Sequence, residues 1–349
     1  MLRRARLKMD YLLVSKDKLP KALFTFQIDA TERSVRVRDM FVRLYETKGN
    51  NFSLTTGIFA RPFGFEVNLS SSFRETPERG RMSQTLVPSE RDIGMMITYE
   101  PQRRDAHNKY ISANIGIFNG PGLSATTDFD NVKDVIGRIT LKPLKTKIAE
   151  ISGGFSILNG GWRQLSKYVY KIGKSTAGKD FIIDSSTSNI GKTAPKQYYS
   201  GDIQLNWAHG WGNTELRGEY WMGTQPGTLN TSANPETLPL APTVIRNFNG
   251  AFFYFLQDII NTKNQLVFKY DWYDPNTKVK AREIGVAGKN FSAADIKYST
   301  AGVGFVREIT KMVKVTLYYE FVKNETTQLA GYTNDLKDNL FTCRLQFKF

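Results

Sequence analysis

The feature that most constrains this chain is a period of two that recurs along nearly its whole length. In KALFTFQID, Ala22, Phe24, Phe26 and Ile28 alternate with Leu23, Thr25, Gln27 and Asp29. In NFSLTTGIFAR, Phe52, Leu54, Thr56, Ile58 and Ala60 alternate with Ser53, Thr55, Gly57, Phe59 and Arg61. The terminal NLFTCRLQFKF sets Phe341, Cys343, Leu345, Phe347 and Phe349 against Thr342, Arg344, Gln346 and Lys348. Successive side chains of a strand point to opposite faces, so each segment is a strand with one apolar and one polar face. About fifteen such segments, each about 8–12 residues long, fit the template. No helical period competes and no Pro/Ser-rich linker intervenes, so residues 1–349 read as a single domain.

Period two suits a soluble sandwich as well as a membrane barrel. No run of eighteen apolar residues exists, which excludes a spanning helix but not spanning strands. Some fifteen strands without a linker exceed one sandwich. Tyr and Trp gather near strand ends in YYSGD (198–202), YW (220–221) and YDWYD (270–274), as in interfacial girdles. Closing the sheet would also remove edges that a soluble protein has to hide. The expected fold is therefore an all-β transmembrane antiparallel barrel, with its apolar face toward lipid and its polar face toward a water-filled lumen. Tight connections are expected at 46–51, 142–147 and 261–264, and long ones at 161–196, 223–245 and 274–294.

Charge bears on function. There are 48 Lys+Arg against 33 Asp+Glu, a formal net charge of +15, which suits an anionic partner. On these registers Arg4, Arg6, Lys8, Arg43, Arg61, Arg138, Lys142, Arg217, Lys269, Lys314, Arg344 and Lys348 face the lumen. Arginine presents a planar fork of donors that matches phosphate and stays charged, and rings of Arg or Lys are the apparatus of anion pores. Arg217 stands between Glu215 and Glu219 on one face, which predicts a structural ion pair. Arg163, Lys167, Lys171, Lys174, Lys179, Lys192 and Lys196 would make an external cationic funnel or a lipopolysaccharide-binding surface.

Catalytic readings find little footing. The single cysteine, Cys343, rules out an internal disulfide, and two histidines, His107 and His209, are too few for a multi-His metal site. IFNGPG lacks the Lys-Ser/Thr of a phosphate loop, and KYDWYDPNT reads as a turn capped by aspartate. No enzyme, cofactor or metal is expected. A nucleic-acid-binding sheet would interleave aromatics and cations on one face; here they fall mostly on opposite faces. A general or oligosaccharide channel would use Tyr110, Tyr273 and Tyr318 as a stacking path.

RDMFVRLY (38–45), LTTGIFARPFGFEVNLSSS (54–72), VPSERDIG (87–94), IFNGPG (117–122), LRGEYWMGTQPG (216–227) and KYDWYDPNT (269–277) together resemble the phosphate-selective porins O and P. The resemblance implies a passive outer-membrane channel for small anions, phosphate or polyphosphate, built as a homotrimer of sixteen-stranded barrels amid outer-membrane lipid and lipopolysaccharide. It also implies a loop folded into the lumen, here 66–91. That loop carries Arg74, Arg79, Arg81 and Arg91 with Glu66, Glu75, Glu78 and Glu90. Arg61, Arg79, Arg81, Arg91, Arg43, Arg138 and Lys269 are the expected anion-binding or pore-lining residues. Since MLRRARLKMDYLLV has no apolar signal core and such barrels have even strand numbers, LRRARLKMD would be the second strand of the intact protein. The export signal and first strand are then expected outside this sequence.

Overall fold

The computed structural model describes residues 4–102, 108–125, 127–175 and 178–348; His107 and Phe349 lie outside the described residues. One sheet holds seventeen strands. Its first eight are β1 (Ala5–Val14), β2 (Pro20–Ala30), β3 (Val35–Tyr45), β4 (Phe52–Ala60), β5 (Arg91–Tyr99), β6 (Ile111–Phe118), β7 (Asp134–Lys145) and β8 (Glu150–Arg163). Each pairs antiparallel with the next. A hairpin of β9 (Val169–Ser175) and β10 (Gly178–Asp184) follows. β11 (Thr193–His209) then returns to pair with β8, leaving the hairpin outside the wall. The wall continues through β12 (Gly212–Gly227), β13 (Thr243–Ile259), β14 (Asn261–Asp274), β15 (Tyr298–Thr310), β16 (Val313–Asn324) and β17 (Leu340–Phe347).

The alternation sorts the side chains inside out. Phe24 is 47% exposed while its neighbour Thr25 is 4% exposed, and Ile203 is exposed while Ser200 and Gln204 are buried. Phe253, Phe255, Phe268, Leu317 and Phe321 point outward. Lys269, Asp271, Glu219 and Arg217 point inward and are buried. In water this arrangement would be unstable; with hydrocarbon outside and a polar interior it satisfies both faces. No ladder joins β1 to β17 among the described residues, and the alternating wall makes these two edges run the same way.

Connections mostly segregate by length, the exceptions being 31–34, short at the long-loop end, and 100–110, long at the short-turn end. At one end the turns are short: 15–19, 46–51, 146–149, 210–211, 260 and 311–312. At the other lie 61–90, 119–133, 228–242, 275–297 and 325–339, with the β9–β10 hairpin among them. The turn expected at 142–147 falls instead at 146–149, because β7 runs through Pro143. The ladder to β8 shifts register between Leu141 and Leu144, a bulge that spares Pro143 the donor it lacks. The turn expected at 261–264 likewise moves to residue 260, after a register shift in the ladder between Asp258 and Ile259.

β11 and β13 have 17 residues and β12 has 16, well beyond the roughly 9–11 that cross a membrane. Their extra length stands proud at the long-loop end. There Phe181, Val244, Val279, Ile284, Phe291 and Ile296 make a small apolar core between loops. Arg246 and Asp295 form a fully buried ion pair at 2.8 Å beside it. Partial burial would raise Glu283 in this cap, but the Lys280 N–H and the Lys179 and Lys289 ammoniums outweigh it and hold the carboxyl below its ordinary range.

Leu317→Arg, on the outward face of β16, is expected to destabilise the barrel by about 2–4 kcal/mol, the cost of a cation at the bilayer midplane. Denaturant titration in lipid vesicles measures it; an unchanged midpoint would mean that this face does not meet hydrocarbon.

Candidate functional site

Residues 61–90 leave the wall after β4 and fold against the inward faces of strands on the opposite side. Three kinds of contact hold them. The first is a buried carboxylate on β12: Glu219 accepts the N–H groups of Phe65 and Glu66, each at 2.9 Å, the Ser200 hydroxyl at 2.8 Å and Trp221 Nε1–H at 2.6 Å. Gly64 makes this approach feasible. Its φ is +68°, and a Cβ there would lie 2.6 Å from Glu219 Oε1 and 2.8 Å from the Trp221 ring.

The second is the reverse clamp. Glu66, from the loop, accepts Lys269 Nζ at 3.0 Å, Gly80 N–H at 3.0 Å, Tyr254 OH at 3.2 Å and the Ser83 hydroxyl. The third is apolar: Phe63, Val67, Met82, Leu86 and Val87 pack with Tyr198, Trp221, Phe248 and Tyr273. Met82 and Leu86 belong to one short helix, α1 (Arg81–Leu86). Burying each large side chain contributes roughly 1.5–3 kcal/mol, so this side of the lumen is filled.

Further along, Arg217 grips Glu75 through two bonds at 2.8 and 3.1 Å and Glu215 at 2.6 Å, so its ion pairs are Glu215 and Glu75 rather than Glu219. Lys314 and Gln346 donate to Ser72 O, each at 3.1 Å. Arg344 donates to Arg74 O at 2.7 Å, and Arg6 reaches Ser70 Oγ at 3.4 Å. Residues 70–76 therefore touch both β1 and β17 from inside.

The side of the loop facing β1–β3 is charged. Arg4, Arg6, Arg38, Arg79 and Arg91 converge there on Asp29, Asp39 and Glu90. Five guanidiniums thus meet three carboxylates. The cluster was only partly visible in the sequence. Arg38 went unremarked because a register shift on β3 puts it on the inner face beside Asp39, out of strict alternation.

The seven sequence-singled residues fall into distinct environments. Arg61 is 2% exposed and donates to Gly120 O at 3.3 Å and to Ser89 O, bracing the base of the loop. Arg79 donates to Val87 O at 3.2 Å and Pro88 O at 3.3 Å. Arg91 binds Asp39 at 3.0 Å and Glu90 at 2.5 Å. Arg138 pairs with Asp202 at 2.7 Å and Ser156 at 2.8 Å. Lys269 is buried between Glu66 and Asp271.

Two differ. Arg43 bonds only the Thr55 hydroxyl, at 3.0 Å, and Arg81 lies 3.8 Å over the Tyr298 ring. Among the described residues neither has a carboxylate within ion-pair distance. Of the external cations, Lys196 is buried against Asp134, whereas Arg163, Lys171, Lys174 and Lys192 are exposed. Of the three tyrosines proposed for stacking, Tyr273 and Tyr318 are buried and Tyr110 is exposed.

A pinned element lies inside a fifteen-strand wall, with one filled side and one cationic side. Solved structures share the fold of this wall. The outer membrane channel DcaP of Acinetobacter baumannii aligns over 99% of this chain and 84% of its own, with 13% identity and a TM-score of 0.53. An anion-selective porin from Comamonas acidovorans aligns over 99% and 88%, with 13% identity and a TM-score of 0.52. A loop-L8 deletion mutant of OmpT, an outer membrane protein of Vibrio cholerae, aligns over 99% and 89%, with 10% identity and a TM-score of 0.52. The fold is that of an outer-membrane porin. No family model and no curated protein sequence matches the chain.

Lys269→Met is expected to destabilise the protein by about 3–5 kcal/mol, because Glu66 is left as an uncompensated buried charge. Adding Glu66→Gln should restore most of that loss. The midpoint of unfolding of the two variants in detergent decides it; equal losses in both would mean the pair does not act as a unit.

Proposed function

We propose that the protein is a passive outer-membrane channel for small anions. The observation that carries this reading is the arginine excess on the open side of the loop, where five guanidiniums share three carboxylates. Arg81 at the long-loop end and Arg43 nearer the short-turn end extend the same positive field along the path. A fixed surplus of guanidinium in a narrow, partly dehydrated passage favours anions by charge and offers oxyanions forked donors. Residues 66–91 would set the constriction. Arg61, Arg79, Arg138 and Lys269 would act through the geometry they hold, while Arg38, Arg43, Arg81 and Arg91 would face the passing ion.

Phosphate or polyphosphate as preferred solute, and a homotrimer as the assembly, come from the sequence resemblance. Exposed Arg163, Lys171, Lys174 and Lys192 would gather anions at the mouth or meet lipopolysaccharide phosphates. The oligosaccharide alternative loses its stacking path, since Tyr273 and Tyr318 are enclosed.

The reversal potential of single channels under a KCl gradient tests the reading, followed by phosphate titration of the chloride current. An anion-selective current blocked by phosphate is the expected result; a cation-selective or unselective current would overturn it. Arg81→Gln should lower the anion-to-cation permeability ratio by up to about thirtyfold, because a unit charge 4 Å from an ion in water favours an anion and disfavours a cation by about 1 kcal/mol each. Among the described residues its side chain carries no hydrogen bond to the wall, so stability should hold. An unchanged ratio would place Arg81 off the path.

A further inference from the structure

The short-turn end carries a row of apolar residues that plays no part in the path described above. Hairpins β7–β8, β11–β12, β13–β14 and β15–β16 stand in successive places along the wall, because β8 pairs with β11, β12 with β13 and β14 with β15. Their tips present Ile148, Trp211, Ile260 and Met312, which are 86%, 72%, 86% and 55% exposed. Phe347, opposite Val313 at the end of β17, continues the row.

Tight turns in water are normally built from Gly, Asn, Asp and Ser. Ile260 departs from that rule twice, since it also holds a φ of +65°, where a β-branched side chain is sterically disfavoured. The first two turns of the same end follow the rule: Lys16, Asp17 and Lys18 join β1 to β2, and Lys48, Gly49, Asn50 and Asn51 join β3 to β4. Among the described tight turns of this end, the apolar tips therefore fall in the β7–β17 part of the rim.

Two further observations indicate what covers them. The row is continuous with the outward apolar face of the same strands, which runs through Leu216, Phe255, Phe268 and Leu317. Exposed cations flank the tips, Lys147 beside Ile148, Lys263 three residues past Ile260 and Lys311 beside Met312. Apolar and indole side chains next to lysines suit the boundary between acyl chains and anionic headgroups.

We propose that the β7–β17 part of the short-turn rim is seated in the headgroup layer of the adjoining phospholipid leaflet. Its tips reach the acyl boundary and its lysines meet phospholipid phosphate, while the β1–β4 turns stay in water. This rests on the reading of the chain as a membrane barrel.

The test uses the full chain with its one cysteine replaced, Cys343→Ser. Ile148→Cys, Trp211→Cys, Ile260→Cys and Met312→Cys are each labelled with an environment-sensitive fluorophore, with Asp17→Cys as the aqueous control. The probes are read in vesicles of phosphatidylethanolamine and phosphatidylglycerol after insertion is confirmed by heat-modifiable migration and ion conductance. The expected result is blue-shifted emission, quenched by headgroup-level nitroxide lipid, at the four tips but not at position 17. Lys147→Gln, Lys263→Gln and Lys311→Gln together should weaken the shift in phosphatidylglycerol vesicles. Inserted, conducting protein whose tips emit as in water would overturn this inference alone. Failure to insert would overturn the membrane reading beneath it.

Discussion

Hydrocarbon offers no partner to a backbone N–H or C=O, and most of this structure follows from that constraint. Every residue facing lipid has to satisfy its main chain inside a ladder, so only strands paired on both sides or spanning helices are admissible. Among the described residues no helix is long and apolar enough to cross, and strands that cross have to alternate. Alternation in turn commits half of each strand to an interior that it cannot fill with apolar side chains alone, and the interior becomes a place of buried charge. Fifteen wall strands place Arg, Lys, Asp and Glu opposite one another across the lumen, where each unpaired charge would be costly.

The interior meets that cost unevenly, and the unevenness is what gives the site its character. Three of the four loop glutamates leave the loop for cations elsewhere: Glu66 for Lys269, Glu75 for Arg217 and Glu90 for Arg38. The loop is neutral by sequence, yet its carboxylates are spent on fastening it to the wall. Its arginines then differ in what remains to them. Arg74 and Arg79 turn to loop carbonyls as well as to Glu78 and Glu90, Arg91 shares Glu90 with its neighbours, and Arg81 keeps only an aromatic face among the described residues. Counting charges along a segment would have missed this, because neutrality along the chain is not neutrality in space.

The wall was legible in the sequence for a plain reason: strand periodicity is local, and a period of two survives without knowledge of any partner. Phe24 against Thr25, or Leu345 against Arg344, could be sorted by parity alone. Where parity failed, a local irregularity was responsible, as at the register shift that turns Arg38 inward or at Pro143, which reads as a turn and sits in a bulge. The β9–β10 hairpin escaped because its order comes from other loops: Phe181 packs with Phe291 and Ile296, over a hundred residues away. The charged interior was half legible. Parity put Lys269, Arg138 and Arg217 in the lumen, but their partners Glu66, Asp202 and Glu75 lie at separations that no pattern in one sequence encodes.

On the proposed reading, pinning and selectivity are connected. A loop free to move would let its charges relax around a passing ion, and much of the field would be lost to reorganisation. Glu219 draws together two backbone amides, a hydroxyl and an indole N–H without a cation of its own, so the entry of the loop is fixed by hydrogen bonds that salt does not readily screen. With that end fixed, Ser72, Arg74 and Thr76 are held at the far wall by Lys314, Gln346 and Arg344, so the segment between is tied at both ends. The arginines on that side therefore face the lumen against a rigid back wall. On the proposed reading, their surplus charge is balanced by a mobile anion from solution rather than by a carboxylate moved closer.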